Sequence, residues 1–348
     1  MLSALTITYL FMSGAGAGAV ALLAADDLLP LHTTRATSSG NTSRLSSSRF
    51  CRQAPQPILA LGMITGVGAL AAGALCLFLD LGRADRVANL LLSPTFSHIT
   101  LGTYALLLAL LCAVAVSLLA SGVVRLSPQI TGRVRCILEL GALIATLVVM
   151  LYTGLLFFSM GTGLLLGSFL VPVLFVLSSL STGNALLLGV AYLSGLSGSA
   201  PESQSRGCLR AAVDRGASGA RSSVCAKHHA RLNNESRAAL AHTGLFRLDR
   251  ILILAELLCL AGFLLLAFGE PFHEATLFAL TQGSYAVAFW GGLVICGLIA
   301  PLCMETSGLA RRILPGIDPA LPAAVCVLTG GYCLRYCILG AGLPLFAL

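Results

Sequence analysis

Apolar residues in this chain come in long, nearly unbroken runs, without the alternation of a half-buried strand or the three-to-four spacing of a surface helix. An α-helix needs about 20 apolar residues to cross the hydrocarbon core of a bilayer. Eight runs qualify, near 5–26, 57–80, 98–121, 136–160, 165–194, 250–269, 284–305 and 320–345. Only "SMGTG" separates the fourth from the fifth, which predicts a tight helical hairpin. Two connections are long and polar, 28–56 and 196–248. Both are rich in Ser, Ala, Gly and Arg with no apolar periodicity, the composition of flexible segments. The predicted fold is all-α: a single transmembrane domain of eight bundled helices.

Composition supports that class. Of 348 residues, 57% are hydrophobic and 10% charged, against about 25% charged in soluble domains. The net charge of +7 does not predict a nucleic-acid partner, because the arginines lie between the apolar runs, where they act as topology signals. The opening "MLSALTITYLFMSGAGAGAV" lacks a basic stretch ahead of its apolar core, so it reads as a retained span and not a cleaved signal.

Arginine and lysine counts then predict an orientation. The connections after runs one, three, five and seven carry 4, 3, 9 (with Arg250 at the opening of run six) and 2 of them; those after runs two, four and six carry 2, 0 and 0. By the positive-inside rule the odd connections face the cytoplasm and both termini face outward. The two exceptions, Arg83 and Arg86, sit in "LDLGRADRVANLL", an elbow predicted on the outer side.

Twelve cysteines raise the possibility of a metal or cluster site, but no C-x-x-C pair occurs. Most fall inside apolar runs, where free cysteine acts as a small packing residue. The six histidines avoid the middle of every run: His98 sits at a margin, His273 in "GEPFHEA", and the others in polar segments. A membrane cytochrome would need paired histidines within the bundle. The chain is therefore expected to carry no haem, no iron–sulfur cluster and no metal of its own. "GAGAG" resembles a phosphate loop only superficially, since no strand precedes it; close helix contact is the better use of its small residues.

Ionisable groups within a span are costly and point to function. At ~1.5 Å per residue, Tyr152 lies about 24 Å along the fourth run. With the predicted orientation, Asp80, His98, Tyr152, Arg335 and Ser13 come from five helices and share the outer half of the membrane. Arg335, in "GGYCLRYCILG", needs an anionic or carbonyl partner or an aqueous cavity, and Asp80 is a candidate partner. Glu139 and Glu256 lie toward the cytoplasmic side and fit either a proton relay or a hydrogen-bonded packing role. Asp26, Asp27 and Glu305 read as charges at helix ends. Tyr152 fits either a ligand or an aromatic whose hydroxyl is bonded to a neighbour.

Several segments together resemble the NrfD/PsrC family, the membrane subunits of polysulfide-reductase-like molybdopterin oxidoreductases. They are "DLGRADRVANLLLSP", "LYTGLLFFS", "VPVLFVLSSLSTGNALL", "AELLCL" and "GGYCLRYCILGAG", in the family's order and spacing across all eight runs. Ala84 stands where many members have Pro, and Ser13 where some have an Asn that meets quinone. Ser is shorter than Asn and lacks the amide. The resemblance implies a membrane quinol or quinone as bound substrate, with menaquinone the expected type. It implies that Tyr152 bonds a quinol oxygen, that Asp80 and Arg83 form the pocket mouth and that Arg335 belongs to the charged group near it. Ser13 and His98, placed on the same outer side by their depth, complete the expected quinone-binding set, with Tyr152, Asp80 and Arg335 at the reacting site. Glu256 falls where the family carries protons, and with Glu139, the other acid on the inner side, it would form a proton path. The implied partners are a ferredoxin-like iron–sulfur subunit on the outer face and a molybdopterin catalytic subunit beyond it. The implied location is the cytoplasmic membrane of a bacterium or archaeon. Two competing functions fit the residues: a secondary transporter using the intramembrane acids, and a purely structural anchor.

Overall fold

The computed structural model describes residues 4–28, 57–81, 98–121, 128–160, 167–193, 220–268, 274–306 and 320–342. The first five apolar runs form α1 (Ala4–Leu28), α2 (Pro57–Leu81), α3 (His98–Ala120), α4 (Pro128–Met160) and α5 (Leu170–Leu193). The sixth lies within α6 (Ala220–Phe268), and a short α7 (Glu274–Thr281) follows. Then come α8 (Val287–Ile299, continuing through Ala300–Thr306) and α9 (Ala320–Gly342). Among the described residues there is no strand, and eight helices are long and apolar enough to cross a membrane.

Two helices begin earlier than the apolar pattern predicts. α4 starts at Pro128, whose fixed φ suits a first helical position and whose missing N–H costs nothing there. α6 starts at Ala220, inside the connection 196–248 that composition assigns to a flexible segment. Residues 220–248 contain no Pro and one Gly, and are dominated by Ala, Arg and Leu. Helix propensity carries the backbone through without an apolar stripe. The apolar part of α6 is Gly244–Phe268, so Glu256 falls at its middle and not near one end.

The helices pack as two groups around a shared centre. Val20, Met63, Leu70, Ala109, Val116, Ala142, Val149 and Met150 join α1 to α2, α3 and α4. Leu174, Phe175, Ile253, Phe263, Leu293, Leu334 and Leu339 join α5, α6, α8 and α9. α1 and α5 cross between the groups. The apolar window of α1 is 78% buried, against 28% for α2 and for α8, so α1 is the central post and the other two face lipid.

Small residues make that post possible. Ser13 through Ala21 of α1 are all buried. At the α1–α5 crossing, a Cβ on Gly18 would overlap the Ser179 carbonyl, and one on Gly183 would come within 2.6 Å of Gly18 Cα. Backbones this close gain dispersion contacts along their length, the main attraction available where lipid tails are as apolar as leucine. α8 is unusual in another way. It is wound as a π-helix from Val287 to Ile299, and the Ala300 N–H closes on the Ile295 carbonyl.

Candidate functional site

The site grows from the first turns of α1. Thr6, Tyr9, Leu10 and Ser13 follow the three-and-four spacing that puts side chains on one helix face. Thr6 donates its hydroxyl to Asp80 Oδ2 at 2.8 Å, on the last turn of α2. One turn on, the Tyr9 hydroxyl is hydrogen-bonded to the hydroxyl of Tyr152 from α4. Both tyrosines are buried. Tyr152 lies flat against α3 because position 102 is Gly, where a Cβ would overlap the phenol ring. Ser13 is buried and donates to the Leu10 carbonyl at 3.5 Å.

The Leu10 carbonyl also receives Arg335 Nε at 3.2 Å. Arg335 of α9 is 1% exposed, the largest fully buried side chain described. Its Nη1 donates to Gly331 O at 2.8 Å and to Ser178 Oγ at 3.4 Å, and its Nη2 to Ser179 Oγ at 3.0 Å. The rings of Phe11 and Phe175 lie 5.6 and 5.9 Å from its guanidinium carbon, within cation–π range. Gly14 leaves room for the head group, since a Cβ there would come within 2.6 Å of Nη2. Among the described charged residues, the group within electrostatic reach of Arg335 is Glu256 of α6, which also faces Ser178 and Ser181. The partner predicted for Arg335 is thus corrected. Asp80 is bound by Thr6 at the end of α2, while Arg335 is held by carbonyls, serines and Glu256 deeper in the bundle. A lone guanidinium in this medium would be very costly, and this cage supplies the dipoles and counter-charge that offset the loss of water.

The polar face of α5 continues past Glu256. Asn184 Nδ2 donates to Asp249 Oδ1 at 2.8 Å and to the Leu245 carbonyl at 3.1 Å, tying α5 to α6. Asn184 and Asp249 are both buried. Glu139 belongs to a different group. Arg135 Nε donates to Glu139 Oε1 at 2.6 Å, one turn away on α4, and its Nη2 pairs with Asp27 at the far end of α1. Asp27 is therefore half of an interhelix ion pair, which is more than a helix-end charge. Glu139 and Glu256, grouped as one proton path by the sequence, lie in separate clusters.

Tyr152 and Asp80 are thus brought to neighbouring points of α1, and Ser13 and Arg335 share one α1 carbonyl. His98 opens α3 and Glu305 lies in the last turn of α8, but their side chains, Arg83 and most of the elbow after Asp80 lie outside the described residues. Sequence reasoning missed Tyr9, Ser178, Ser179, Asn184 and Asp249. The spacing Thr6–Tyr9–Ser13 and the polar row "SSLSTGN" inside an apolar run were the available signals. Among the described residues, no three His, Cys, Asp or Glu side chains converge as metal ligands.

A comparison with curated proteins finds no match. The family model described as polysulphide reductase, NrfD, matches residues 2–213 and 217–347, nearly the whole chain. Eight apolar helices and that match identify a multi-pass integral membrane protein, consistent with a membrane subunit of a reductase complex. The chain belongs to the polysulphide reductase NrfD family.

Proposed function

We propose that this protein is the quinol- and quinone-binding subunit of a molybdopterin-type oxidoreductase, passing electrons between the membrane quinone pool and a ferredoxin-like iron–sulfur subunit. The observation that carries this reading is the row of hydroxyl and carboxylate groups on the first turns of α1: Thr6 with Asp80, then Tyr9 with Tyr152. A quinol entering from the lipid meets there a phenol able to bond its oxygen and, one turn away, a carboxylate able to take a proton. The loss of two electrons from a quinol releases two protons, so a site serving it needs both hydrogen-bonding and proton-accepting groups. Both are supplied by α1 and its neighbours.

In the orientation predicted from the arginines, these turns lie at the outer side of the cytoplasmic membrane, with both termini outward. The iron–sulfur subunit docks on that side, and the molybdopterin subunit binds beyond it. Asp27, Arg135 and Glu139 then lie at the cytoplasmic end. Glu256, beside Arg335 at mid-depth, stands between the two ends and is suited to carry protons across. A transporter would use the same buried acids without electron transfer, so electron transfer is what the test must read.

The test is quinol-dependent reduction of the iron–sulfur subunit that co-purifies with this chain. Tyr152→Phe should lower the rate roughly 100-fold by removing a group that exchanges protons with the substrate, and Asp80→Asn should lower it in the same direction. If both variants transfer electrons at the parent rate, and the intact complex binds no quinone analogue, this function is wrong.

A further inference from the structure

We propose that Asp27 and Glu139 hold one proton between them, so that the α1–α4 seam carries a proton-binding site at the end away from the tyrosine pair. The inference rests on the arrangement around Arg135 and is independent of the quinone reading. Arg135 Nε donates to Glu139 Oε1 at 2.6 Å, and Nη2 of the same guanidinium pairs with Asp27 Oδ2. Those two nitrogens form one edge of the guanidinium fork, an edge suited to both oxygens of a single carboxylate. Here it takes one oxygen from each of two carboxyls, one on α1 and one on α4, which sets them side by side. The two carboxyls are within hydrogen-bonding reach of each other.

Oxygens placed in this way repel if both groups are ionised. Two negative charges would then share one positive charge, in a place where the Glu139 side chain is 5% exposed and Asp27 20%. That leaves little water to screen the excess. One proton removes the conflict. The protonated carboxyl donates to its neighbour, which stays a carboxylate, and the guanidinium balances the single charge that remains.

The surroundings leave this balance intact among the described residues. On α1 and α4 themselves, Asp26, Arg133 and Cys136 are exposed. α3 adds Cys112, which lies near Gly141, and α5 adds Tyr192 near its end; α2 has no ionisable side chain in its first four turns. The site therefore joins α1 to α4 only while the proton is held. Its release leaves two like charges across the seam, whose other end is closed by Tyr9 and Tyr152.

Infrared spectroscopy of the purified full chain in detergent tests this, because a protonated carboxyl absorbs apart from a carboxylate. At about pH 6, above the ordinary carboxyl range of about 4, Asp27→Asn and Glu139→Gln should each abolish one protonated-carboxyl band of the parent. An amide in either place donates to the remaining carboxylate and needs no proton. Stability gives a second readout. Above about pH 5 the unfolded carboxyls are ionised, so folding takes up the shared proton and rising pH weakens the fold. For one proton the folding constant falls about ten-fold per pH unit until the proton leaves. Asp27→Asn should lose this part of the decline in melting temperature. The inference is overturned if either variant keeps the parent's band, or if the melting temperatures of the parent and Asp27→Asn fall in parallel as pH rises.

Discussion

Replacing Arg335 by Met should leave little stable protein, with a loss of about 3–5 kcal/mol, because it strips a buried charge from partners that keep their own polarity. The Leu10 and Gly331 carbonyls, Ser178, Ser179 and Glu256 would all remain inside the bundle without the guanidinium. Arg335→Lys would not rescue the site fully, since one ammonium cannot reach acceptors on α1, α5 and α9 with the fixed fork of a guanidinium. Adding Glu256→Gln to Arg335→Met should recover part of the loss, by removing the carboxylate left unpaired. Thermal unfolding of the detergent-solubilised chain would read both effects. An Arg335→Met protein as stable as the parent, or a double variant worse than the sum of the two singles, would mean that Arg335 and Glu256 do not compensate each other.

The second large effect is expected from one methyl group. Gly18→Ala should cost about 2 kcal/mol or more, as overpacking does when the obstacle cannot move aside. The obstacle here is the Ser179 backbone carbonyl. Separating α1 from α5 would also shift the Ser179 hydroxyl away from Arg335, so the loss should extend to the bonds that hold the guanidinium. Gly68→Ala and Gly189→Ala are the matched controls, since nothing lies within 4 Å of a Cβ at either position. Equal melting temperatures for Gly18→Ala and these controls would contradict the close α1–α5 crossing.

The spans were legible because a run of apolar residues long enough to cross lipid has few other uses, and their number follows from counting runs. Their ends were less legible. Polar residues with good helix propensity continue α6 back to Ala220 and α4 back to Pro128, and hydropathy is blind to that. The error at α6 had a chemical consequence, since a span thought to begin near 250 puts Glu256 close to one surface and hides its meeting with Arg335. Tyr152 and Arg335 stood out in the sequence as polar groups far inside runs. Tyr9 did not, because an aromatic among leucines looks like packing until a second hydroxyl is found against it. Asn184 and Asp249 were missed for a related reason. Asp249 lies just before the predicted start of the sixth run and Asn184 closes a row of small polar residues inside the fifth, and only the α5–α6 contact makes them a pair.

The π-wound segment of α8 has a consequence for the lipid around the protein. Its apolar stretch, Val287–Met304, is 18 residues, the shortest of the eight. Even at the α-helical rise it would cover about 27 Å, less than the roughly 30 Å of a typical hydrocarbon core. Closing hydrogen bonds five residues apart fits more residues into each turn and shortens the segment further. Val287, Trp290, Ile295 and Ile299 expose their side chains along it, so the bilayer cannot ignore the shortfall. A short apolar flank is met by local thinning of the bilayer, by snorkelling of the residues beside it or by association with another chain, so hydrophobic mismatch is concentrated on this side of the bundle.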